Sequence, residues 1–295
     1  MVLKKIFYMV FYFISTLKKI LLIFLVLLYP NLKAQENSKT IIDKMFVAID
    51  KIETLKFTLK KAERINGEMK YGEQDVKFNR LKKQIYTYIQ KPNKGVELLW
   101  IAGKNNGHAY INPNGFPFIN VKLDPYGSNM RKGNHHTVYE VGFDYISKII
   151  SFMRRKTMED IDNIFLYQGI IKFDNKDCYK VIVDYTPFKY IKYTVLKGES
   201  VTDIAYKFFI SDYMILKKNK EIKNFGDVKP GQIIIIPNAY ARKTVLYIDK
   251  NTYLPILQTM YDDIGLFEQY EFYNLQLNPK IAEEEFTKEY KGYHF

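Results

Sequence analysis

The sequence predicts an α+β protein: a curved antiparallel sheet wrapped around covering helices and interrupted by a small strand–helix–helix–strand module. Three observations carry this reading. Apolar–polar alternation recurs along most of the chain between turn signals; two stretches place apolar residues at helical spacing; and residues 191–237 follow a pattern of their own.

From Lys39 to Leu55, Ile41, Ile42, Met45, Ala48, Ile49, Ile52 and Leu55 recur as one face of an amphipathic helix. Alternation then takes over. Leu55, Phe57 and Leu59 share a strand face, and later Ile85, Thr87 and Ile89 oppose Tyr86 and Tyr88. Turns are signalled at Lys91-Pro92-Asn93-Lys94-Gly95, Gly103-Lys104-Asn105-Asn106-Gly107 and Asn112-Pro113-Asn114-Gly115. The run Val96 to Ala102 between the first two contains Trp100. A second helix is expected over Glu140–Arg155, burying Tyr145, Ile146, Ile149, Ile150 and Met153. Strands follow at 178–185, 243–249 and 266–277, ahead of an acidic stretch, 282–285. A helix followed by successive antiparallel strands, with a second helix between them, makes a sheet curved over helices and an apolar-lined concavity.

Composition narrows the function classes. The chain has 295 residues, 47% apolar and 26% charged, enough for a sizeable core. Its charge of +13 and its 25 Tyr and 21 Phe invite a nucleic-acid reading. Five of the lysines (Lys4, Lys5, Lys18, Lys19 and Lys33) lie in the first 34 residues, which contain no acid, so much of the basicity is terminal. Tyr and Phe suit half-buried strand faces, so sheet packing accounts for the aromatics and no nucleic-acid partner is expected. A single cysteine, Cys178, excludes an intramolecular disulfide framework, a Cys-rich zinc site and a CxxC pair.

The N-terminus orders its features as an export signal: Lys18-Lys19, an apolar run Ile20–Tyr29, then Leu32-Lys33-Ala34-Gln35. Residues 1–34 are therefore expected to be a signal peptide cleaved after Ala34, giving an exported periplasmic or envelope-associated protein. The alternative is an uncleaved inner-membrane anchor from Ile6 to Tyr29. That would place two lysines mid-membrane at about 2.5–3.5 kcal/mol each.

Residues 191–237 carry the most specific pattern. Tyr193-Thr194-Val195-Leu196-Lys197-Gly198-Glu199-Ser200 opens it, and Ser200 with Asp203 forms a capping-box-like start to a helix with Ile204, Ala205 and Phe208 inward. Asp is short for the return bond. Ser211 caps a second helix with Met214 and Ile215 that ends at Asn219, and Lys229-Pro230-Gly231-Gln232 leads into the strand Ile233–Pro237. In this order of blocks the segment resembles the LysM module, with Lys220 in place of the usual proline and a long turn from Lys223 to Lys229. The resemblance implies binding of peptidoglycan or a related glycan containing N-acetylglucosamine. It places the groove at Gly198, Glu199, Ser200 and Val201, with Asn219, Glu221 and Ile222 opposite. Gly198 permits close backbone approach, and a small apolar wall such as Ile222 suits an acetamido methyl.

The flanking segments, 36–190 and 238–295, form the host domain. Lys91-Pro92, Asn134-His135-His136, Glu140 and Gly142 resemble an uncharacterised bacterial envelope family in which Asn-Arg-His precedes Glu-x-Gly; His135 stands in place of the arginine. The order Tyr247-Ile248-Asp249, Leu254-Pro255 and a closing strand through Tyr270–Leu277 is similar to the LolA/LolB lipoprotein-carrier fold. That resemblance implies a half-closed antiparallel barrel lidded by helices around a cavity for lipid or a lipoprotein acyl chain.

Chemistry-bearing residues admit blander readings. Adjacent histidines on a loop rarely face one metal, so His108, His135, His136 and Glu140 are not expected to bind one, and His136 is expected to bond its own loop. Cys178 opens a strand and suits a β core. Glu283, Glu284 and Glu285 read as a solvated face, and Asp262-Asp263 before Gly265 as a hairpin turn. The sequence has no G-x-S-x-G elbow and no phosphate loop. No catalytic residue, metal or cofactor is therefore expected. The function expected is that of a non-catalytic envelope protein with a glycan-binding module and an apolar-ligand host. The alternatives are a peptidoglycan-processing enzyme with unrecognised catalytic residues in the host, and a structural adaptor whose cavity its own side chains fill.

Overall fold

The computed structural model describes residues 37–295; the expected export signal, its cleavage after Ala34 and the alternative anchor lie outside the described residues. Helix α1 (Ser38–Asp50) buries Ile41, Ile42, Met45 and Ile49 along one face. It stops short of the predicted end because alternation begins at Thr54. There β1 (Thr54–Ile65) starts, turns at Asn66-Gly67, and pairs with β2 (Glu68–Asn79) from Thr54↔Asn79 to Ile65↔Glu68. Strands β3 (Gln84–Lys91), β4 (Glu97–Ile101), β5 (Ala109–Asn112) and β6 (Val121–Leu123) extend the meander.

Helices α2 (Ser128–Arg131), α3 (Asp144–Lys156) and α4 (Ile161–Ile164) follow, then the hairpin β7 (Phe165–Phe173) and β8 (Lys176–Asp184). Next come β9 (Tyr190–Thr194), α5 (Val201–Phe208), α6 (Asp212–Lys218) and β10 (Ile233–Pro237); β9 and β10 pair only with each other. Strands β11 (Lys243–Asp249), β12 (Pro255–Tyr261) and β13 (Leu266–Leu277) return the chain to the large sheet. That sheet has eleven strands in the order β6-β5-β4-β3-β2-β1-β13-β12-β11-β8-β7, antiparallel throughout. It is curved and open, ending at β6 and β7. The α+β architecture of a curved antiparallel sheet with covering helices and a βααβ interruption is borne out.

One face of the sheet packs on α1 and α3, whose Ile146, Ile149, Ile150 and Met153 join Phe57, Val76, Ile85, Val181, Leu246 and Phe272 in a single core. Burial of each such side chain contributes about 1.5–3 kcal/mol. The Arg80 guanidinium clamps three elements: it bonds both Asp144 oxygens at the start of α3 (2.9 Å) and donates to the Ile52 and Asp50 carbonyls behind α1.

Helix α3 begins at Asp144 rather than at Glu140. Gly142 has φ +89°, and a Cβ there would lie 3.2 Å from the Phe78 ring, so the chain turns before the helix starts. Glu140 instead closes a short 3-10 turn, accepting from the Thr137 N–H at 2.6 Å. On the other face of the sheet the C-terminal residues fold back. Phe286 packs against Tyr86 and Leu99, and Tyr293 stacks on Tyr86 at 3.8 Å. Glu283 and Glu284 are exposed, in line with a solvated face, but the reading is corrected at Glu285, which is buried and paired with Lys77 (2.7 Å) and Lys56 (3.1 Å). The return of the tail places it over two lysines on β1 and β2.

The βααβ segment leaves from the end of a hairpin. Strands β8 and β11 pair from Cys178↔Asp249 to Asp184↔Lys243; beyond them Tyr185 N–H donates to the Arg242 carbonyl (2.7 Å), and Lys189 and Asn238 bond each other twice.

Gly142→Ala is expected to lower stability by about 1–2 kcal/mol, the cost of a left-handed L residue, plus the displacement of Phe78. Urea unfolding should show a lower midpoint at unchanged slope.

Candidate functional site

Helix α1 packs against β7 and α3, so the helices fill the sheet's face unevenly. Over β1 to β6 a cavity of about 760 Å³ remains between the sheet, α3 and the loop that precedes it. Alternation sets its lining: Phe57 and Leu59 from β1, Val76 from β2, Ile89 from β3 and Phe272 from β13 form the apolar part, closed by Ile146 and Ile149 of α3.

The same inward phase brings a polar wall. Position 59 is followed by Lys61 and Glu63, and Phe272 is preceded by Tyr270 and Glu268, all facing the cavity. Glu268 has no exposure and takes its bonds from three stretches of chain. His135 Nδ1 lies 2.7 Å away, the Tyr240 hydroxyl donates at 2.6 Å and Tyr270 at 3.3 Å, and His136 Nε2 is an ion-pair neighbour at 3.5 Å. Tyr270 also donates to Glu63 at 2.6 Å, whose second oxygen holds Lys61 at 2.8 Å; Lys61 in turn reaches Asn134.

Burial alone would raise the Glu268 and Glu63 carboxyls. For Glu268 the His136 and His135 imidazoles outweigh it, and for Glu63 Lys61 and the same histidines do, so both sit below the usual carboxylate range. Burial opposes a charged His136, yet Glu268 lifts it to about 9. Burial, reinforced by Glu268, pushes the Tyr240 and Tyr270 hydroxyls well up, so they act as donors.

His136 therefore does not bond its own loop; it reaches Tyr240 (3.1 Å) and Glu268 across the fold. The two histidines converge on one carboxylate. No group of three or more His, Cys, Asp or Glu among the described residues is placed to hold a metal. His108 lies apart, near the Asn106 carbonyl. Cys178 is buried in the sheet, and burial, with Asp249 beside it, pushes its thiol up to about 11. Sequence reasoning missed Lys61, Glu63, Tyr240, Glu268 and Tyr270. A detectable sign was present in the carboxylates, which interrupt otherwise apolar inward positions.

In the βααβ segment, Gly198 is exposed with φ +83° and open space where a Cβ would be. Glu199 is taken up locally: its carboxylate accepts from Tyr193 Oη (2.8 Å), Leu196 N–H (2.9 Å) and Lys207 (2.8 Å). Ser200 accepts from Asp203 N–H, and Asp203 returns the bond to Ser200 N–H at 2.9 Å, so the short side chain closes the box. Val201 and Ile222 are buried in this segment's own core. Asn219 is buried too, its amide bonding the Ile215 and Ile235 carbonyls and the Ile235 N–H. Glu221 is exposed. The two loops meet where Val201 N–H donates to the Phe225 carbonyl (2.9 Å).

The segment is seated firmly on the host. Phe225, in the long 223–229 turn, lies 3.8 Å over the Arg131 guanidinium, which pairs with Asp212 at 2.7 Å. Tyr213 and Met214 of α6 pack on Ile65 and Phe267, and the His135 ring lies between Tyr213 and Phe267.

Residues 52–209, which include the Asn134–Gly142 motif at the cavity, match the family described as "Protein of unknown function (DUF1571)". The chain belongs to the DUF1571 family. In this DUF1571 member a LysM domain is matched at residues 193–237, overlapping the end of the family match. No curated protein matches the chain. Solved structures similar to it include a LolA superfamily protein from Nitrosomonas europaea, with 9% identity and TM-score 0.34 over 86% of this chain and 99% of that one. Others are the lipoprotein LppX from Mycobacterium tuberculosis (8%, TM-score 0.39, 83% and 98%) and LprF from Mycobacterium bovis (12%, TM-score 0.38, 83% and 94%).

A pH-dependent stability follows from the polar wall. A folded His136 pKa of about 9, above its ordinary 6.5, means that the imidazolium's contribution is complete below about pH 6.5 and is lost as pH rises through 9. Thermal unfolding of the wild type should show Tm falling over that window, and His136→Gln should flatten this limb while lowering Tm at pH 6.

Proposed function

We propose that this protein is an exported, non-catalytic component of the cell envelope. Its LysM domain binds peptidoglycan or a related glycan containing N-acetylglucosamine, and its host domain holds a lipid, a lipoprotein acyl chain or another apolar ligand. The observation that carries the reading is the apolar-lined cavity of about 760 Å³ in the same compact unit as the LysM domain. That volume is in the range of pockets that enclose small ligands. The domain limits that accompany the reading are 36–190 with 238–295 for the host and 191–237 for the module.

On the glycan side the contacts are assigned mainly to backbone. Side chains of Glu199, Ser200 and Asn219 already bond within the module, so Gly198 and Glu221 supply the open surface beside the Ser200 cap, with Val201 and Ile222 as the apolar floor. Single modules of this kind bind weakly and gain from multivalency.

Two experiments test the two halves. Full-length protein should be retained by purified sacculi, and Gly198→Trp, or Glu221→Trp where no backbone strain arises, should reduce retention severalfold. Equal retention of both variants and wild type overturns the glycan site. Mass spectrometry of lipid co-purifying with the chain should detect a bound amphiphile, depleted in Leu59→Trp, which fills the cavity. A chain that carries no ligand in either form favours the adaptor reading, and turnover of muropeptides by the wild type favours the enzymatic one.

A further inference from the structure

The loop between β5 and β6 presents Phe116 (87% exposed), Phe118 (82%) and Ile119 (65%) to solvent within four consecutive residues. A contiguous apolar patch of this kind on a folded surface marks a contact site. The loop is held in place rather than splayed. Asn114 donates to the Lys94 carbonyl (2.9 Å), Asn114 N–H donates to Asn112 Oδ1 (3.0 Å), and the rings of Phe116 and Phe118 meet edge to face at 6.3 Å.

Its surroundings are basic. No acid occurs between Glu97 and Asp124. The Lys94 bond ties the loop to the β3–β4 turn, whose exposed Lys91, Pro92 and Asn93 line the cavity, as do the exposed Asn129, Lys132 and Gly133. Lys91 leans on Glu73 (3.3 Å), and Lys70, also at the opening, leans on Glu68 (2.5 Å). Four lysines, Lys70, Lys91, Lys94 and Lys132, thus stand against two carboxylates, beside an aromatic wedge.

We propose that this loop docks the protein on an anionic lipid bilayer. Phe116, Phe118 and Ile119 enter the interfacial region while Lys91, Lys94 and Lys132 meet the headgroups, and the cavity opens toward the bilayer. Apolar side chains with flanking cations are the combination that favours the interface over water, and headgroup attraction strengthens it in anionic membranes. A second copy of the chain lacks the dense negative charge that the lysine collar complements. The inference rests on the loop and its neighbours and stands or falls apart from the glycan reading.

The test places a reporter in the loop of the full chain. Phe118→Trp, with Ile119→Trp as an independent second position, is added to vesicles of phosphatidylglycerol with phosphatidylcholine, the acyl chains brominated. Native Trp100, buried and bonded to the Gly107 carbonyl (3.0 Å), supplies the wild-type background to be subtracted. The expected result is a blue shift and loss of reporter emission on anionic vesicles, diminished on pure phosphatidylcholine and by Lys91→Gln, Lys94→Gln and Lys132→Gln combined. Attachment through residues 1–34 alone leaves the reporter unquenched. Water-like emission without quenching from both reporters overturns the proposal. So does a lipid-independent blue shift that grows with protein concentration, which would assign the loop to self-association.

Discussion

A carboxylate with no exposure must find its counter-charge and donors inside the protein, and Glu268 obtains them from His135, His136, Tyr240 and Tyr270. Removing one partner of such a buried group costs several kcal/mol, so the segments carrying the donors have little freedom. The loop of His135 and His136 is drawn over the sheet, and the chain leaving β10 is drawn back to seat Tyr240. His135 does two things at once: its ring is held between Tyr213 of the LysM domain and Phe267 of the host while its Nδ1 meets Glu268. Seating of the module and closure of the cavity wall therefore depend on the same group.

The cavity itself follows from unequal filling. An eleven-stranded sheet offers more inward apolar surface than α1 and α3 cover, and α1 lies toward β7. The face of β1 to β6 is left with side chains of modest size and a loop for a roof. Gly142 sets the roof's height, since its turn lets the chain pass tightly over Phe78 before α3 begins.

Local patterns were legible in the sequence; long-range polar pairings were not. Strands 243–249 and 266–277 read correctly from alternation, as did the helix caps at Ser200 and Ser211, because each is decided within a few residues. The start of α3 was displaced by a glycine whose backbone conformation no periodicity reveals. His136 was assigned to its own loop because Glu268 and Tyr240 lie more than a hundred residues downstream. Glu285 looked solvated for the same reason: its lysines, on β1 and β2, meet it only when the tail folds back. In the βααβ segment, motif blocks marked the elements, while the engagement of Asn219 and Glu199 within the module became visible only in three dimensions.

The position of the module between β8 and β11 has a mechanical consequence. A domain hung on one linker swivels; this one is spliced into a hairpin and joined by two covalent strands that are bridged at Lys189 and Asn238. A pull on the module loads both arms together, along strands already paired with the body of the sheet. The element thus behaves as a strut, its own surface held at a set distance and angle from the cavity.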